Sequence, residues 1–340
     1  MRVGIVGAGT MGVMHAAAWA QTGAKLVGVY SLRDGPELAH RYSAKVFERY
    51  DELLKAVDVV DLCVPTNLHP AMTAQAAEAG KHVVCEKPPA LTMAEGEAMI
   101  ATCERAGVRL FIAMVVRFFP QYRAAQQLVA AGQLGALGVL RLRRAAYQPR
   151  KEVDNWFLDE ARSGGMVVDM MIHDFDYARW LAGPVIRVYA QSARALAPDS
   201  SGDYALVTLR FASGAMAIVE GAWANPPGVF RTGFDLAGSE GLIEWSSDDT
   251  ATIRTFLQPS AAQAAACPER SEAACPERSE GAGLPLAPLP EDPYTSQLKH
   301  VYRAIKTGEP FAVTPQDSLE ALRIALAARE SLQTGLVVTL

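Results

Sequence analysis

The run Gly7-Ala8-Gly9-Thr10-Met11-Gly12 follows the apolar stretch Val3–Val6 and leads into a helical stretch beginning near Met11. A glycine loop between a strand and a helix narrows the folds open to the chain. Gly7 permits a tight turn, Gly9 lets a pyrophosphate approach the backbone, and Gly12 lets the helix pack closely on the strand. The phosphates then meet the helix N-terminus, with Thr10 and Met11 beside them; a loop rich in glycine for packing alone is the competing reading. Further short runs rich in Val, Ile and Leu follow at Lys25–Val29, Val57–Val64, His82–Cys85 and Leu110–Met114. Helical patterns (Met11–Gln21, Pro70–Ala79, Met93–Arg105) alternate with them. Near-continuous apolar strands separated by helices predict a parallel sheet covered on both faces, the doubly wound α/β (Rossmann) arrangement, over residues 1–119.

After Pro120 the rhythm changes. A helix at Gln121–Ala131 precedes a strand at Leu137–Tyr147, and Ser163-Gly164-Gly165 opens a helix running to about Leu181. Strands are expected at Ile186–Ala195, Tyr204–Phe211, Ala215–Ala224, Gly233–Leu236 and Gly241–Trp245. Two helices (Tyr294–Thr307, Gln316–Gln333) and a last strand (Leu336–Leu340) close the chain. Consecutive strands with few helices between them predict an α+β second domain, residues 120–340, with a large, mostly antiparallel sheet. Arg141, Arg143 and Arg144 alternate with Leu140 and Leu142 and read as the solvent face of a strand. One stretch departs from the pattern. Ala266-Cys-Pro-Glu-Arg-Ser-Glu-Ala is followed by Ala274-Cys-Pro-Glu-Arg-Ser-Glu-Gly, a tandem repeat within a segment at about 259–293 that is poor in large apolar side chains. It reads as a flexible insertion, with Cys267 and Cys275 duplicated rather than chosen as metal ligands.

Three places carry chemistry. At the end of the second strand the position for a ribose-binding acid holds Ser31, with Arg33 two residues on. A small residue with a nearby Arg suits a 2′-phosphate, so NADP is favoured over NAD. Asp34 keeps NAD open, and Arg33 also reads as a solvated surface residue. Glu86-Lys87-Pro88-Pro89 directly follows the strand His82–Cys85, where open α/β sheets bind ligands. A partly desolvated lysine there can exchange a proton; a surface Lys87 paired with Glu86 is the alternative. Asp169 and His173, four residues apart on the expected helix, project from one face and can act on one substrate. Asp169 also reads as an acid favoured by the helix dipole, and Asp169, His173 and Asp176 as metal ligands; with no second ligand cluster, no metal is expected.

A net charge of −5 gives no electrostatic reason for nucleic-acid binding. No apolar stretch reaches the roughly 18–20 residues of a membrane span, and Met1-Arg2 leads straight into a strand, unlike a signal peptide. Cys63, Cys85 and Cys103 lie in apolar patterns, which fits a reducing cytoplasm.

Together these clusters resemble the glucose–fructose oxidoreductase/inositol dehydrogenase (Gfo/Idh/MocA) family over nearly the whole chain. The resemblance runs from the glycine loop through Pro65-Thr66-Asn67 and Glu86-Lys87-Pro88 to Gly164-Gly165-x-x-x-Asp169-x-x-x-His173 and the Gly308-Glu309-Pro310…Leu340 tail. It implies an NAD(P)-dependent dehydrogenase acting on a secondary alcohol of a sugar or cyclic polyol, with Lys87, Asp169 and His173 meeting at the substrate carbon. Lys87 and His173 share the role of proton acceptor. Pro65, Thr66, Asn67 and His69 would line the cofactor, with Glu86 near its ribose and Arg117 nearby. Asn155 and Trp156 would meet the sugar, and a face of the second-domain sheet would form a homo-oligomer, dimer or tetramer. A reductase of a dihydrodiol or keto-sugar and a non-catalytic dinucleotide sensor are the competing readings. Ser163 stands where the family often has a third glycine, Pro89 replaces an apolar residue, and the repeat insertion is foreign to the family.

Overall fold

The structure, a computed structural model, describes residues 1–149, 154–193, 204–248, 253–257 and 291–340. The tandem repeat with Cys267 and Cys275, and nearly all of the expected insertion, lie outside the described residues. Where the described chain resumes, the Asp292 carboxylate accepts from the Thr295 N–H at 2.9 Å and caps the next helix.

Six parallel strands form the first sheet: β1 (Arg2–Val6), β2 (Lys25–Tyr30), β3 (Lys45–Phe47), β4 (Val59–Leu62), β5 (His82–Cys85) and β6 (Leu110–Ile112). Their order is β3-β2-β1-β4-β5-β6, so the direction of winding reverses between β1 and β4, the place where such sheets open a ligand crevice. Helices α1 (Thr10–Trp19), α2 (Gly35–Arg41), α3 (Tyr50–Ala56), α4 (His69–Glu78) and α5 (Met93–Arg105) make the crossovers. Beyond Arg2 the side chains of β1 and β4 are sealed, with Val3, Ile5, Val6, Val59, Val60 and Leu62 fully buried, as coverage on both faces demands. β3, α2 and α3 were not expected from the sequence; each is only three to seven residues long, too short for periodicity to register.

The second sheet has eight strands: β7 (Leu137–Tyr147), β8 (Val185–Ala193), β9 (Tyr204–Phe211), β10 (Met216–Asn225), β11 (Arg231–Gly238), β12 (Gly241–Ser246), β13 (Arg254–Leu257) and the terminal β14 (Val338–Thr339). The order is β13-β12-β11-β7-β10-β9-β8-β14, antiparallel except for the β7–β10 pair. Burial alternates strictly along β9, so one face is covered and the other open. The covering layer includes α8 (Gly165–Asp169), α9 (Ile172–Ala182) and the tail helix α11 (Pro315–Thr334), entered through α6 (Pro120–Ala130) and the short α7 (Glu160–Ser163). The tail also returns to the first domain: α10 (Pro293–Thr307) packs on α1, and α11 on α5 and β6. Arg109 fastens this joint, donating to the carbonyls of Ala304 (2.5 Å) and Glu309 (2.7 Å) and lying 4.0 Å from the Phe311 ring centre.

Two sequence expectations need correction. The helix opened by Gly164-Gly165 is not continuous: α8 ends at Asp169, α9 starts at Ile172, and Asp169 and His173 belong to different helices. Arg144 does not face solvent. It is buried, bound to Asp174 through Nε–Oδ2 (2.7 Å) and Nη2–Oδ1 (3.1 Å), because it continues the alternation of Leu140 and Leu142 and so shares their covered face, while Arg141 and Arg143 lie on the other.

Candidate active site

The glycine loop has the geometry a pyrophosphate needs. Gly7 sits at φ 95°, and a Cβ there would lie 2.3 Å from the Cys63 carbonyl oxygen. A Cβ on Gly12 would lie 1.9 Å from the Gly7 carbonyl oxygen, so only glycine lets α1 close on the loop. Beside Gly9, where a Cβ would point, nothing lies within 4 Å. The open side of the loop therefore leads to the start of α1, where Thr10 is exposed and Met11 half-buried. Its N-cap, Gly9, supplies no side chain to the first N–H groups, and these suit an anion. The residues present fit a dinucleotide. At the end of β2, Ser31 Oγ accepts from the Ala8 N–H (3.0 Å) and donates to the Arg33 carbonyl (2.6 Å), tying the two loops together. No carboxylate stands at Ser31; Asp34 comes three residues later, in left-handed backbone at the start of α2. Arg33 is exposed.

The loops after β4 and β5 form the other wall. Pro65 is half-buried and Asn67 exposed, while Thr66 is buried. His69 does not reach the cleft. It is fully buried, with Nδ1 2.8 Å from the Pro88 carbonyl and Nε2 3.0 Å from the Val64 carbonyl. It is a strut between the loops after β4 and β5. The Lys87–Pro88 peptide is cis. Arg117 is also withdrawn. It is buried and donates to both Asp176 oxygens (2.8 and 2.6 Å), with Asp317 3.5 Å away. Its guanidinium joins the two domains and is committed to those carboxylates.

Sequence reasoning missed a polar cluster beneath this wall. His15 of α1 and Asp61 of β4 are fully buried. His15 Nδ1 meets the Asp61 oxygens at 2.9 and 3.1 Å, and its Nε2 lies 3.0 Å from Glu86 Oε1. Trp19 Nε1 donates to Asp61 at 2.7 Å. A signal was present: Asp61 interrupts the otherwise apolar Val59-Val60-Asp61-Leu62, and a carboxylate inside a covered strand requires partners.

Lys87 reaches across to the second domain. Its Nζ donates to the Asp169 carbonyl at 2.6 Å and lies 3.3 Å from Asp169 Oδ1. Asp169 is the last residue of α8, where helix carbonyls lack an intrahelical donor. Burial pushes the Asp169 carboxyl above its ordinary pKa even though the Lys87 charge and hydrogen bond pull it down. Burial, followed by the charges of Lys87 and Arg144, drives His173 well below its ordinary value, so the imidazole is neutral near pH 7. Its Nδ1 is buried with no partner among the described residues. The other two acids of the run are already engaged, Asp174 by Arg144 and Asp176 by Arg117, so Asp176 does not join Asp169 and His173 as a ligand set. Asn155 donates to the Pro149 carbonyl (2.8 Å), its Oδ1 is buried with no partner among the described residues, and Trp156 stacks on Phe157 with ring centres 4.0 Å apart. The adjoining α7 packs on the 3-10 turn Thr66–Leu68, which brings this segment to the rim of the cofactor wall.

Comparison with known proteins adds to this geometry. Residues 1–114 match the model described as oxidoreductase family, NAD-binding Rossmann fold, and residues 122–244 match the GFO/IDH/MocA C-terminal domain. The chain is 30% identical to myo-inositol 2-dehydrogenase of Thermotoga maritima, covering 98% of this chain and 96% of that one. It is 27% identical to scyllo-inositol 2-dehydrogenase (NAD(+)) of Bacillus subtilis, over 100% and 96% of the two chains. The solved structure of GenD2 from gentamicin A biosynthesis, in complex with NAD, superposes with a TM-score of 0.83 at 25% identity, covering 100% of this chain and 96% of that one.

Proposed function

The chain belongs to the GFO/IDH/MocA family of NAD(P)-dependent oxidoreductases, and from that premise we propose that it passes a hydride between a nicotinamide and a secondary alcohol or ketone of a sugar or cyclic polyol. The observation that carries this reading is the meeting of Lys87 Nζ with Asp169, beside neutral His173, beyond the carboxyl end of β5. The similarity to two inositol dehydrogenases supports the polyol class.

Bound on the glycine loop, the dinucleotide supplies the hydride acceptor or donor. The protein's part is to hold and to move a proton. The Lys87 ammonium donates to the substrate oxygen and favours the alkoxide as the C–H bond breaks. Neutral His173, whose Nδ1 has no partner among the described residues, takes the hydroxyl proton; the alternative acceptor is Lys87 in its neutral amine form. Asp169 fixes the ammonium and accepts from a neighbouring hydroxyl. Asn155 and Trp156 form the outer wall for the ring, the amide offering a free acceptor and the indole an apolar face.

Residues 1–119 hold the cofactor, residues 120–340 the substrate. The Ser31–Arg33 turn, lacking a carboxylate at Ser31, favours NADP(H), with Asp34 the residue through which NAD(H) would be held. The free thiols Cys63, Cys85 and Cys103 agree with a reducing cytoplasm. The open face of the second sheet carries Leu206, Met216 and Ile218, each more than a third exposed, and suits a dimer or tetramer. The test is a fluorescence titration with NADP(H) and NAD(H), then a panel of inositols and aldoses followed by the appearance of reduced nicotinamide. No binding of either dinucleotide at millimolar concentration rejects the reading. Binding without turnover of any polyol rejects the substrate class.

A further inference from the structure

The buried cluster under Glu86 is not explained by the glycine loop or by the acid–base residues. His15 has carboxylates on both sides: Asp61 at Nδ1 and Glu86 at Nε2. A neutral imidazole has one N–H and one lone pair, so one nitrogen would present its lone pair to a carboxylate about 3 Å away. Two N–H groups remove that repulsion. The Nδ1 contact is a bifurcated hydrogen bond, and the Nε2 contact is an ion pair with poorer alignment. The titratable groups around the ring come from several elements. Asp61 comes from β4 and Glu86 from the turn after β5. Cys63 donates from its thiol to Asp61 at 3.6 Å, and Tyr294 of α10 has its ring centre 6.3 Å from that of His15.

Glu86 passes the contact on. Its Oε2 accepts from the Lys87 backbone N–H at 3.1 Å, and the Lys87 side chain crosses to Asp169. We propose that His15 is a positioning residue, an imidazolium that pins the Glu86 carboxylate to the Lys87 backbone and thereby sets where the Lys87 ammonium stands. The proposal rests on the dehydrogenase reading only for the use to which Lys87 is put.

Other facts agree. His15 is raised well above its ordinary value: burial opposes this, and the charge and hydrogen bond of Asp61 more than offset it. Glu86 is burdened by burial yet held below the ordinary carboxylate value by the His15 hydrogen bond and charge and by Lys87. His15, Asp61 and Cys63 lie close enough to share a cation, but the Asp61 oxygens are already taken by His15 Nδ1 and Trp19 Nε1. His15 also lies on α1, which begins at the glycine loop, so the dinucleotide cradle and the catalytic lysine are both referenced to one helix.

The experiment has two readouts that need no substrate and one that does. In protein labelled with 15N-histidine, with His15 assigned by its loss in His15→Gln or its shift in Asp61→Asn, both ring nitrogens are expected to stay protonated from about pH 6 to pH 8. A single protonated nitrogen overturns the proposal. The second readout is the rate at which pyridoxal phosphate with borohydride modifies Lys87, followed by peptide mass spectrometry. His15→Gln and Glu86→Gln are each expected to change that rate by about threefold or more, with no further change in the double variant, because they act on one path. Unchanged rates or multiplied effects overturn it. The third is turnover of the polyol found in the panel. Each single variant should lower kcat by about tenfold while the dinucleotide KM moves less than about threefold, again without further loss in the double variant. Wild-type kcat in His15→Gln overturns the proposal. Wild-type protein that turns over no polyol counts against the function, and the nitrogen spectra and Lys87 labelling still decide the role of His15. If His15→Gln does not fold, the wild-type spectra and the Glu86→Gln labelling decide it.

Discussion

Asp174 and Asp176 stand two residues apart on α9 and face different arginines, Arg144 from β7 and Arg117 from the turn after β6. Forming such buried pairs gains little net stability, because desolvation offsets much of the attraction, but removing one partner leaves a charge stranded. Arg144→Met should lower the unfolding free energy by about 3 kcal/mol or more in urea, and Arg144→Met with Asp174→Leu should recover much of it. A loss below about 1 kcal/mol would mean that water reaches the pair. His173 gives a pH signature. Its folded-state pKa is depressed, so below about 6.5 the unfolded chain takes up a proton that the fold refuses, and stability falls as pH drops from there. The slope is at most about 1.4 kcal/mol per pH unit for one group. His69 adds in the same direction, and His15 has its pKa moved the other way, so the informative comparison is with His173→Asn. Urea denaturation between pH 7 and pH 5.5 should lose less stability in that variant; identical losses would show that His173 is protonated in the fold. Lys87→Met belongs to this scale too. It should cut turnover by about 10²–10⁴-fold and leave dinucleotide affinity within about threefold, as measured by steady-state kinetics and fluorescence titration.

At the scale of elements, the loop between β1 and α1 separates two uses of glycine. At Gly12 a methyl would collide with the Gly7 carbonyl; at Gly9 it would enter open space. Gly12→Ala should therefore weaken dinucleotide binding by more than about tenfold and also lower the melting temperature, since α1 must move off the strand. Gly9→Ala should weaken binding comparably with the melting temperature unchanged, because its methyl intrudes only where a pyrophosphate would lie. Titration beside thermal unfolding checks both, and a Gly9→Ala protein with full affinity would remove the cradle from the site. This loop was legible from sequence because each glycine answers a local steric demand. β5 and β9 were legible to the residue, since a sealed apolar run and a strict alternation both leave a pattern of period two or none. The interruption between Asp169 and Ile172 was not. Met170 and Met171 carry no helix-breaking chemistry and both keep right-handed helical backbone, so no residue type marks the break.

At the scale of the whole molecule, what escaped the sequence was pairing across long separations. His15 with Asp61, Arg144 with Asp174, and the return of α10 to α1 depend on which strands and helices the fold makes neighbours, and only the isolated Asp61 in an apolar strand hinted at any of them. The same limit applies to the open face of the second sheet. Alternation along β9 forecast that Leu206 would point away from the helices, but not that Met216 and Ile218 of β10 would lie on the same side next to it. Arg210 pairs across from Met216, and Tyr204 donates to Glu220 at 2.7 Å on this face, which gives it apolar surface bounded by polar groups, as interfaces have. A second copy applied to this sheet would bury Leu206 and Ile218 without disturbing the cleft, which lies beyond the covering helices. Replacing both with Asp places charge where an interface must desolvate it. The double variant should run as a monomer in size-exclusion chromatography with light scattering, while dinucleotide binding stays within about threefold of wild type. A wild-type protein that is already monomeric at tens of micromolar concentration, or a variant of unchanged mass, would leave this face solvent-exposed and remove it from the assembly.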